Sequence, residues 1–383
     1  MPPLRRLPGS YLVLETINQC SLACVHCTVA EGAAHPHHAA VGFMAPALFQ
    51  AILDDLAAAG LGFDTLIPFW LGEPLLHPQF GALYQAGLRA AAEFGTFRRV
   101  ELHTNATHLG RDRVRVALNA APVPQTWHLS IDAATPERYR AIKGKASFDE
   151  VEANILAFLD ERARTRAPWP RPVFQMIVGE NNADEVPAFA ERWTARCRER
   201  GLAVRTAAQA VPEGNDAVVF FRQLDAPTVA LQERANAAYR RAMASIGVGL
   251  PKPAATPVAV AGGAGAGAAA ADVGAGRGGG TPGAGAGATP APSPGVCGCF
   301  WKSPVVGWDG RVTTCTRDNR FENGLGNVRE TPLSALWLGE RMRAGRAGAA
   351  RGDYAGFSAC TGCFIPKSAN YSDIRPDEIA AWT

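Results

Sequence analysis

The chain has 383 residues, enough for about two domains of roughly 150 residues each. Of these residues 47% are hydrophobic and 19% are charged, so most of the chain can bury a core, whereas 40 glycines and 28 prolines indicate a segment that does not fold. The 38 basic residues barely exceed the 35 acidic ones, which argues against a nucleic acid or a membrane surface as an electrostatic partner. No apolar run approaches the roughly 20 residues of a membrane span, and no secretory signal is visible, so we expect a soluble, cytoplasmic protein.

Strand and helix patterns alternate over residues 1–210. Strands are predicted at 11–16, 65–71, 99–104, 126–132, 172–178 and 201–209, and helices at 45–60, 78–94, 110–119, 148–163 and 183–200. Six such repeats predict parallel strands with right-handed crossovers, either in an open doubly wound sheet or in an incomplete barrel. In both arrangements ligands bind at the carboxyl ends of the strands, so the residues after each strand are the candidates for chemistry.

Three further regions complete the expected domain plan. Residues 211–251 are predicted to form a helical connection. Residues 252–296 are nearly all Ala, Gly, Pro, Val and Thr, with too little apolar surface to offset the entropy of ordering, and we interpret them as a flexible linker or insertion. Residues 297–383 then form a second, smaller domain.

The nine cysteines fall into two groups and one isolated position. They are Cys20, Cys24 and Cys27, then Cys197, then Cys297, Cys299, Cys315, Cys360 and Cys363. In a reducing cytoplasm such close spacings indicate metal ligands rather than disulfides. The isolated Cys197 lies in a predicted helix and is expected to be a packed thiol without a chemical role.

The first cysteine group supplies three thiols directly after the first predicted strand. An ordinary iron–sulfur cluster or structural zinc site has four protein ligands, so three thiols leave one metal position open to a reactant. The alternative is a zinc loop that is completed by a nearby histidine, one of His35, His37 and His38.

Motifs at four strand ends favour the open metal site. The C-x3-C-x2-C pattern of residues 20–27 resembles that of the radical S-adenosylmethionine (SAM) superfamily. Three more motifs look like those of the family, in chain order: Leu71-Gly72-Glu73-Pro74, His103-Thr104-Asn105-Ala106 and Leu129-Ser130-Ile131-Asp132. Residues 139–144 and 173–182 continue the resemblance, which covers about residues 9–210.

The resemblance implies an α/β fold, a partial (β/α)6 barrel. It implies that Cys20, Cys24 and Cys27 hold a 4Fe–4S cluster whose fourth iron binds SAM. It also implies that Glu73 and its neighbours in the turn accept hydrogen bonds from the ammonium group of SAM. The implied cofactor-binding residues are His26 near the adenine, Gly72, Glu73 and Pro74 in the turn, Asn105, and Ser130 and Asp132 near the ribose and carboxylate.

The second cysteine group predicts a closed metal site. Its expected ligands are Cys297, Cys315, Cys360 and Cys363. An Asp-Gly turn within residues 308–311 predicts a hairpin that brings the first two thiols together, and a helix near 332–345 returns the chain to the other two. This region looks like the twitch domain, a shortened SPASM-type extension of radical SAM enzymes, which implies one auxiliary 4Fe–4S cluster. Cys299 is an alternative to Cys297 as first ligand, and a four-cysteine zinc knuckle is an alternative to the cluster.

The resemblance also implies the chemistry. A flavodoxin- or ferredoxin-type donor would reduce the first cluster, SAM would be cleaved to a 5′-deoxyadenosyl radical, and this radical would take a hydrogen atom from the substrate. With the auxiliary cluster as electron acceptor, we expect a radical SAM oxidoreductase that oxidises its substrate by two electrons.

The sequence constrains the substrate less than the reaction. Because the barrel begins within about ten residues of the first residue, with no peptide-recognition domain before it, a small molecule is favoured. A peptide or protein maturase is the alternative within the family, and a non-catalytic iron–sulfur relay or sensor is the alternative from another class. No catalytic base is identified; Arg317 and Asp318, just after Cys315, fit either a substrate pocket or the charged end of the hairpin.

Overall fold

The computed structural model describes residues 3–118, 123–145, 147–226, 228–250, 296–361, 363, 374–380 and 382. The strands are β1 (Tyr11–Leu14), β2 (Phe63–Ile67), β3 (Phe97–Thr104), β4 (Gln125–Ser130), β5 (Arg171–Val178), β6 (Val204–Ala208), β7 (Ala217–Gln223), β8 (Val305–Val306), β9 (Arg311–Thr313) and β10 (Gly326–Asn327). The helices are α1 (Pro46–Ala59), α2 (Phe80–Phe94), α3 (Arg111–Leu118), α4 (Pro136–Lys143), α5 (Phe148–Thr165), α6 (Val186–Arg198), α7 (Val229–Ser245), α8 (Cys299–Lys302), α9 (Leu333–Leu338), α10 (Glu340–Ala350), α11 (Ser358–Thr361) and α12 (Pro376–Ala380). The segment interpreted as a linker lies, except for Val296, outside the described residues.

All described strands belong to one open sheet. Their order is β10-β9-β8-β1-β2-β3-β4-β5-β7-β6. Neighbouring strands are parallel in the part of the sheet that runs β1-β2-β3-β4-β5-β7-β6. Strand β9 pairs antiparallel with both β8 and β10. Strand β8 runs parallel to β1, with Val305 opposite Val13, so the C-terminal hairpin extends the barrel sheet. The prediction of an incomplete α/β barrel with a small C-terminal region is confirmed.

The sixth strand position differs from the prediction. Strand β7 pairs with β5, and β6, the strand predicted at 201–209, lies outside β7 at the edge of the sheet. The apolar run 217–221 is buried throughout, as a strand between two others requires, whereas β6 is exposed at two of its five positions. The range 211–251, expected to be only a helical connection, therefore contains a strand before helix α7.

Helix α1 shows how the sequence packs helices onto the sheet. Its apolar residues Phe49, Ile52, Leu53 and Leu56 recur at helical spacing, and all four are buried in the main core. Gly60 ends the helix in the left-handed conformation that glycine adopts without strain (φ +62°). No helix in the described part of the chain is long and apolar enough to cross a membrane.

Strand β3 shows which residues face the interior of the partial barrel. Val100 and Leu102 are buried in the core that the helices cover. Because side chains alternate along a strand, Glu101 and His103 point to the opposite, interior face. Parallel strands also place their carboxyl ends at one edge of the sheet, so the motifs that follow β1 to β4 are brought together there.

Candidate active site

Helix α4 holds the loop that carries the first three thiols. The loop follows β1 and contains Cys20, Cys24 and Cys27. The backbone N–H groups of Ala23 and Val25 donate to carbonyl oxygens in the last turn of α4, over 3.3 and 3.0 Å. The part of the family resemblance that lies at residues 139–144 therefore has a structural role, because the end of α4 fixes the position of the thiol loop.

The surroundings of these thiols fit a metal centre. Burial raises the pKa of Cys20 to about 12, and it also raises the pKa values of Cys24 and Cys27. Such thiols become ligands when a metal displaces their protons, because the metal supplies the positive charge that the pocket lacks. The donor set, three thiols in one loop, fits a cluster with one open iron.

The histidines of the zinc alternative have other partners. His37 Nε2 lies 2.7 Å from Glu15 Oε2 in a fully buried pair, and His35 Nε2 lies 3.3 Å from Asn319 Oδ1. The ring of His38 packs against the rings of His35 and His37. Within the described residues, none of these three histidines forms a group of converging ligand atoms with the loop thiols, and the three-thiol site stays a prediction.

Glu73 connects the turn after β2 to the end of β3. It is only 1% exposed, and its carboxylate accepts hydrogen bonds from Leu75 N–H (3.0 Å), Thr104 Oγ1 (2.8 Å) and Asn105 N–H (2.7 Å). Burial raises the pKa of Glu73 to about 7. A carboxylate offers about four acceptor positions, so one position remains for an ammonium group.

Gly72 lets the same turn pack against the chain that enters the thiol loop. A Cβ atom on residue 72 would lie 2.1 Å from Ile17 O and 2.9 Å from Gln19 O, which only glycine avoids. The N–H of Glu73 donates to Gln19 O (2.8 Å), and the buried Pro74 begins the short 3₁₀ helix that follows. The turn and the thiol loop therefore form one packed unit.

Asn105 connects the end of β3 to the thiol loop. Its Nδ2 donates to Cys20 Sγ (3.4 Å) and Ser21 Oγ (3.3 Å), and its Oδ1 accepts from Thr107 N–H (3.0 Å). A hydrogen bond to a ligand sulfur is one of the features that set the potential of an iron–sulfur cluster. Asn105 is therefore placed to act on a cluster that Cys20 would hold, and its contact with SAM stays a prediction.

Asp132 forms a buried ion pair rather than an open contact site. Its carboxylate pairs with Lys143 Nζ and accepts from Ile177 N–H (2.7 Å), and His26 Nε2 lies 3.8 Å from Oδ2. Burial alone would raise the pKa of Asp132, but the Lys143 ammonium, His26 and the hydrogen bonds from Ile177 and Lys143 together outweigh this effect and lower it. Burial lowers the pKa of His26. The contact of Asp132 with the SAM ribose stays a prediction.

Ser130 lies at the carboxyl end of β4, on the interior face of the barrel. Its Oγ accepts a hydrogen bond from Gln175 Nε2 (3.3 Å) on the neighbouring strand β5. The predicted residues thus fall into three connected sets: Cys20 with Glu73 and Asn105, His26 with Asp132, and Ser130 with Gln175.

The second thiol group surrounds the C-terminal hairpin. Cys315 follows β9, and its Sγ accepts from the N–H of Arg317 (3.4 Å). Cys360 lies in α11, where its Sγ accepts from Asn323 Nδ2 (3.3 Å), and Cys363 N–H donates to Cys360 O (3.3 Å). Amide donors therefore reach the sulfurs of Cys315 and Cys360, which are both predicted ligands.

Cys299 contacts the predicted ligands directly. It is fully buried at the start of α8, and its thiol hydrogen-bonds to the side chains of Cys297 and Cys315. These two hydrogen bonds, together with burial, raise the pKa of Cys299 well above its usual value. The assignment of Cys297 as first ligand stays a prediction, and Cys299 lies within reach of the same position.

Asp318 has a structural role in the hairpin. It is buried, and its carboxylate accepts hydrogen bonds from Thr313 Oγ1 and from the N–H of Asn323 (2.9 Å). Arg317 Nη1 lies 3.6 Å from Asp225 Oδ1 in a partly exposed pair. The carboxylate of Asp318 is therefore bonded within the hairpin rather than aimed into a substrate pocket.

One group of polar side chains inside the barrel was not evident from the sequence motifs. Glu101, His103 and His128 meet there with three potential ligand atoms within 4.8 Å of one another. Each histidine stands two residues before a motif residue that the sequence did identify, Asn105 in one case and Ser130 in the other. The alternation of side chains along a strand could have indicated this group, because it puts His103 and His128 on the same face of the sheet as the motif residues two positions later.

Two family models match the chain. The model described as the radical SAM superfamily matches residues 14–191. The SPASM model, described as an iron-sulfur cluster-binding domain, matches residues 297–364. The two matches cover the thiol loop with its strand-end motifs and the second thiol group.

Similar proteins agree with this match. GTP 3′,8-cyclase 1 of Mycobacterium tuberculosis (strain CDC 1551 / Oshkosh) is 30% identical over 156 residues, and the match spans only 40% of this chain and 40% of that protein. The structure of histidine-tagged anSMEcpe with bound AdoMet has a TM-score of 0.55 at 12% identity, covering 98% of this chain and 86% of that chain. The structure of Streptococcus suis SuiB bound to precursor peptide SuiA has a TM-score of 0.50 at 11% identity, covering 88% of this chain and 66% of that chain. At these identities the two structures show a shared fold.

The chain belongs to the radical SAM superfamily. It is a radical SAM enzyme with a C-terminal SPASM-type iron–sulfur domain, and its cofactors are SAM and 4Fe–4S clusters. The residues present fit these groups: three thiols in one loop, a buried glutamate with acceptor capacity for the SAM ammonium, and a second set of thiols at the hairpin.

Proposed function

We propose that this enzyme oxidises a hydroxyl-bearing small molecule by two electrons, with the auxiliary cluster as the electron acceptor. The observation that carries the proposal is the rigid connection between the two thiol groups. Trp70, two residues before Gly72, donates its indole N–H to Thr316 O (3.2 Å), one residue beyond Cys315. This hydrogen bond supports the proposal because it joins the chain next to the predicted ligand Cys315 to the chain that leads into the turn of Glu73.

Glu15 strengthens this connection from the end of β1. It is fully buried, and it accepts hydrogen bonds from Leu71 N–H (3.3 Å), Trp308 N–H (3.1 Å) and the ring of His37 (2.7 Å). A buried carboxylate is stable only when such partners are all in place. An electron acceptor needs a fixed position relative to the substrate, and this network supports one.

The cofactors and the protein have separate tasks in this proposal. When bound, the first cluster and SAM supply a 5′-deoxyadenosyl radical that removes a hydrogen atom from carbon. The chain holds the cluster through Cys20, Cys24 and Cys27, and it binds the SAM ammonium through the remaining acceptor position of Glu73. A flavodoxin- or ferredoxin-type electron donor and a cytoplasmic location are part of the proposal.

A peptide is the second candidate substrate. SuiB, which shares the fold, is bound to its precursor peptide in one solved structure. In this chain a peptide would have to reach the same interior face of the barrel, so the two candidates differ in substrate size and not in the residues that serve the chemistry.

Reconstitution and a substrate screen test the proposal together. After anaerobic reconstitution we expect about eight irons per chain, from two 4Fe–4S clusters. With dithionite and SAM we expect 5′-deoxyadenosine, and a panel of cyclic polyols and amino sugars should contain a compound that increases its yield and becomes a ketone. A panel of short peptides is the parallel screen, and a response confined to it would favour the second candidate.

The triple variant Cys20→Ala, Cys24→Ala, Cys27→Ala is the control for this experiment. It should lose 5′-deoxyadenosine formation while it keeps about four irons in the auxiliary cluster. Cleavage of SAM by the triple variant, or iron in the unsubstituted chain without any cleavage of SAM, would contradict the proposal. The second outcome would instead favour a non-catalytic relay or sensor.

A further inference from the structure

Glu101, His103 and His128 form a polar cluster inside the barrel. His103 on β3 lies opposite His128 on β4 in the parallel register, and their rings stack with centroids 4.2 Å apart and an interplanar angle of 11°. Glu101 Oε1 lies 2.8 Å from His103 Nε2 and 3.3 Å from His128 Nε2. One carboxylate oxygen thus accepts a hydrogen bond from His103 and lies near, without bonding to, Nε2 of His128.

The cluster lies just below the predicted SAM contacts. His103 and His128 each occupy the inward position before a strand end, two residues before Asn105 and Ser130 respectively. At roughly 3.3 Å per residue, the histidines are about 6.6 Å deeper in the barrel than those contacts. A substrate held between SAM and the floor of the barrel would meet this cluster.

The side-chain amide of Gln175 faces Nδ1 of His128. Gln175 Nε2 donates to Ser130 Oγ (3.3 Å), so its Oε1 faces His128 Nδ1 at 3.2 Å. An amide oxygen is only an acceptor, so this orientation of Gln175 favours the tautomer of His128 that is protonated on Nδ1. In that tautomer the lone pair of neutral His128 is on Nε2.

This Nε2 lone pair has no hydrogen-bond partner among the described residues. The His128 side chain is 5% exposed, and Nε2 is a buried atom without a donor. Burial lowers the pKa of His128 to about 3, and the nearby His103 also lowers it while Glu101 opposes the effect. Arg222 on β7 is the other charged group that acts on this ring. A buried polar atom without a partner calls for an explanation, and a donor from a ligand would supply one.

The stacking of the His103 and His128 rings favours a hydrogen-bond donor over a metal ion as the ligand of His128 Nε2. A metal ligated by two histidines lies along the lone pair, and therefore in the plane, of both rings. Rings that are nearly parallel and 4.2 Å apart cannot both direct Nε2 at one ion. Glu101 and His103 also already share a hydrogen bond of 2.8 Å.

We propose that His128 Nε2 binds the hydroxyl group of the substrate and accepts its proton during oxidation, with Glu101 as the counter-charge. This inference rests on the proposed function. The hydrogen of the C–H bond goes to the 5′-deoxyadenosyl group, the hydroxyl proton goes to His128 Nε2, and the remaining electron goes to the auxiliary iron–sulfur cluster. The C–O single bond becomes a C=O bond, and the positive charge on His128 is balanced by Glu101. A weak base suffices because the hydroxyl proton becomes strongly acidic as the electron leaves.

The protonation state of His128 is tested first and needs no substrate. The full chain is labelled with ¹⁵N-histidine, and the His128 resonances are assigned by comparison with His128→Gln, or with His128→Phe if the glutamine variant does not fold. We expect a protonated Nδ1 and a bare Nε2 from pH 7 down to about pH 5. The opposite tautomer, in which the Gln175 amide is turned and His128 donates to Glu101, would overturn the proposal, as would an imidazolium at pH 7.

Turnover then tests whether His128 acts on the substrate. The probe is the polyol or amino sugar from the screen that most increases 5′-deoxyadenosine formation. His128→Gln should still form 5′-deoxyadenosine, while the yield of ketone per deoxyadenosine falls by about 10²-fold, the usual contribution of a general base. His108→Gln, an exposed histidine after β3, is the matched control and should retain the ketone yield.

The outcomes separate this inference from the function on which it rests. An unchanged ketone yield in His128→Gln would overturn the role of His128 and leave the two-electron oxidation intact. If no compound in the panel is oxidised, the proposed function fails, and the labelled spectrum alone decides whether the buried acceptor exists. Zn²⁺ that binds the cluster-loaded protein and shifts the resonances of both His103 and His128 would replace the proton acceptor by a metal site.

Discussion

Lys143 and Asp132 form an ion pair whose side chains are 3% and 0% exposed. Lys143 is the last residue of α4, whose final turn holds the thiol loop, and Asp132 follows β4 with a left-handed backbone (φ +65°). The Lys143 ammonium also opposes the effect of burial on the pKa of Cys24. A single buried cation therefore connects the strand-end motif to a cluster ligand.

We expect Lys143→Met to destabilise the protein by about 3–5 kcal/mol at pH 7, because it leaves the Asp132 carboxylate buried without a counter-charge. Urea unfolding of the cluster-loaded protein measures the change. Lys145→Met, two residues further along at an exposed position, is the matched control and should have no measurable effect. The double variant Lys143→Met, Asp132→Asn should recover part of the loss, and a double variant as unstable as the single one would contradict this account.

The same pair predicts a pH dependence of stability. The folded protein lowers the pKa of Asp132 below its ordinary value of 3.8. A group whose pKa is lowered by folding stabilises the protein above the unfolded pKa, and this contribution is lost as the pH falls through the folded value. The difference in unfolding free energy between the unsubstituted chain and Asp132→Asn should therefore be constant from pH 7 to about pH 5 and shrink below about pH 4. A difference that grows with acid would mean that the pair does not stabilise the ionised carboxylate.

The sequence was sufficient to predict the parallel sheet and the motifs at its carboxyl edge. Both depend on local patterns, namely apolar runs followed by short polar turns such as that of Gly72 and Glu73. The position of β7 was not predictable in this way, because β6 and β7 are parallel without an intervening helix. Only tertiary pairing with β5 shows which of the two is central.

The side-chain partners inside the site also depend on long-range pairing. Local spacing indicates that Glu73 follows a strand, but not that Thr104 and Asn105 donate to its carboxylate. Likewise, the stacking of His103 on His128 follows from the register of β3 against β4, which the alternation of each strand leaves undetermined. Cys299 was ambiguous because its contact with Cys315 depends on how the hairpin folds back.

Gly72→Ala should disrupt the site through a backbone clash. The new methyl group would lie 2.1 Å from Ile17 O, so either the turn or the chain entering the thiol loop must move. We expect lower iron content at the first cluster and loss of SAM binding, measured by iron analysis and isothermal titration calorimetry after reconstitution. Gly110→Ala is the matched control, because a Cβ at residue 110 meets no atom within 4 Å. Unchanged SAM affinity in Gly72→Ala would show that the close approach is not needed.

The contact of Cys299 with Cys297 and Cys315 predicts an unequal effect of two serine variants. If Cys297 is the first ligand, Cys299→Ser should keep the full auxiliary cluster of about four irons. Cys297→Ser should keep part of the cluster, because the Cys299 thiol is near enough to take the vacant position. The double variant and Cys315→Ser should both lose the auxiliary cluster while they retain the first. Iron and sulfide analysis with Mössbauer spectroscopy distinguishes these cases, and loss of iron from Cys299→Ser alone would reassign the first ligand to Cys299.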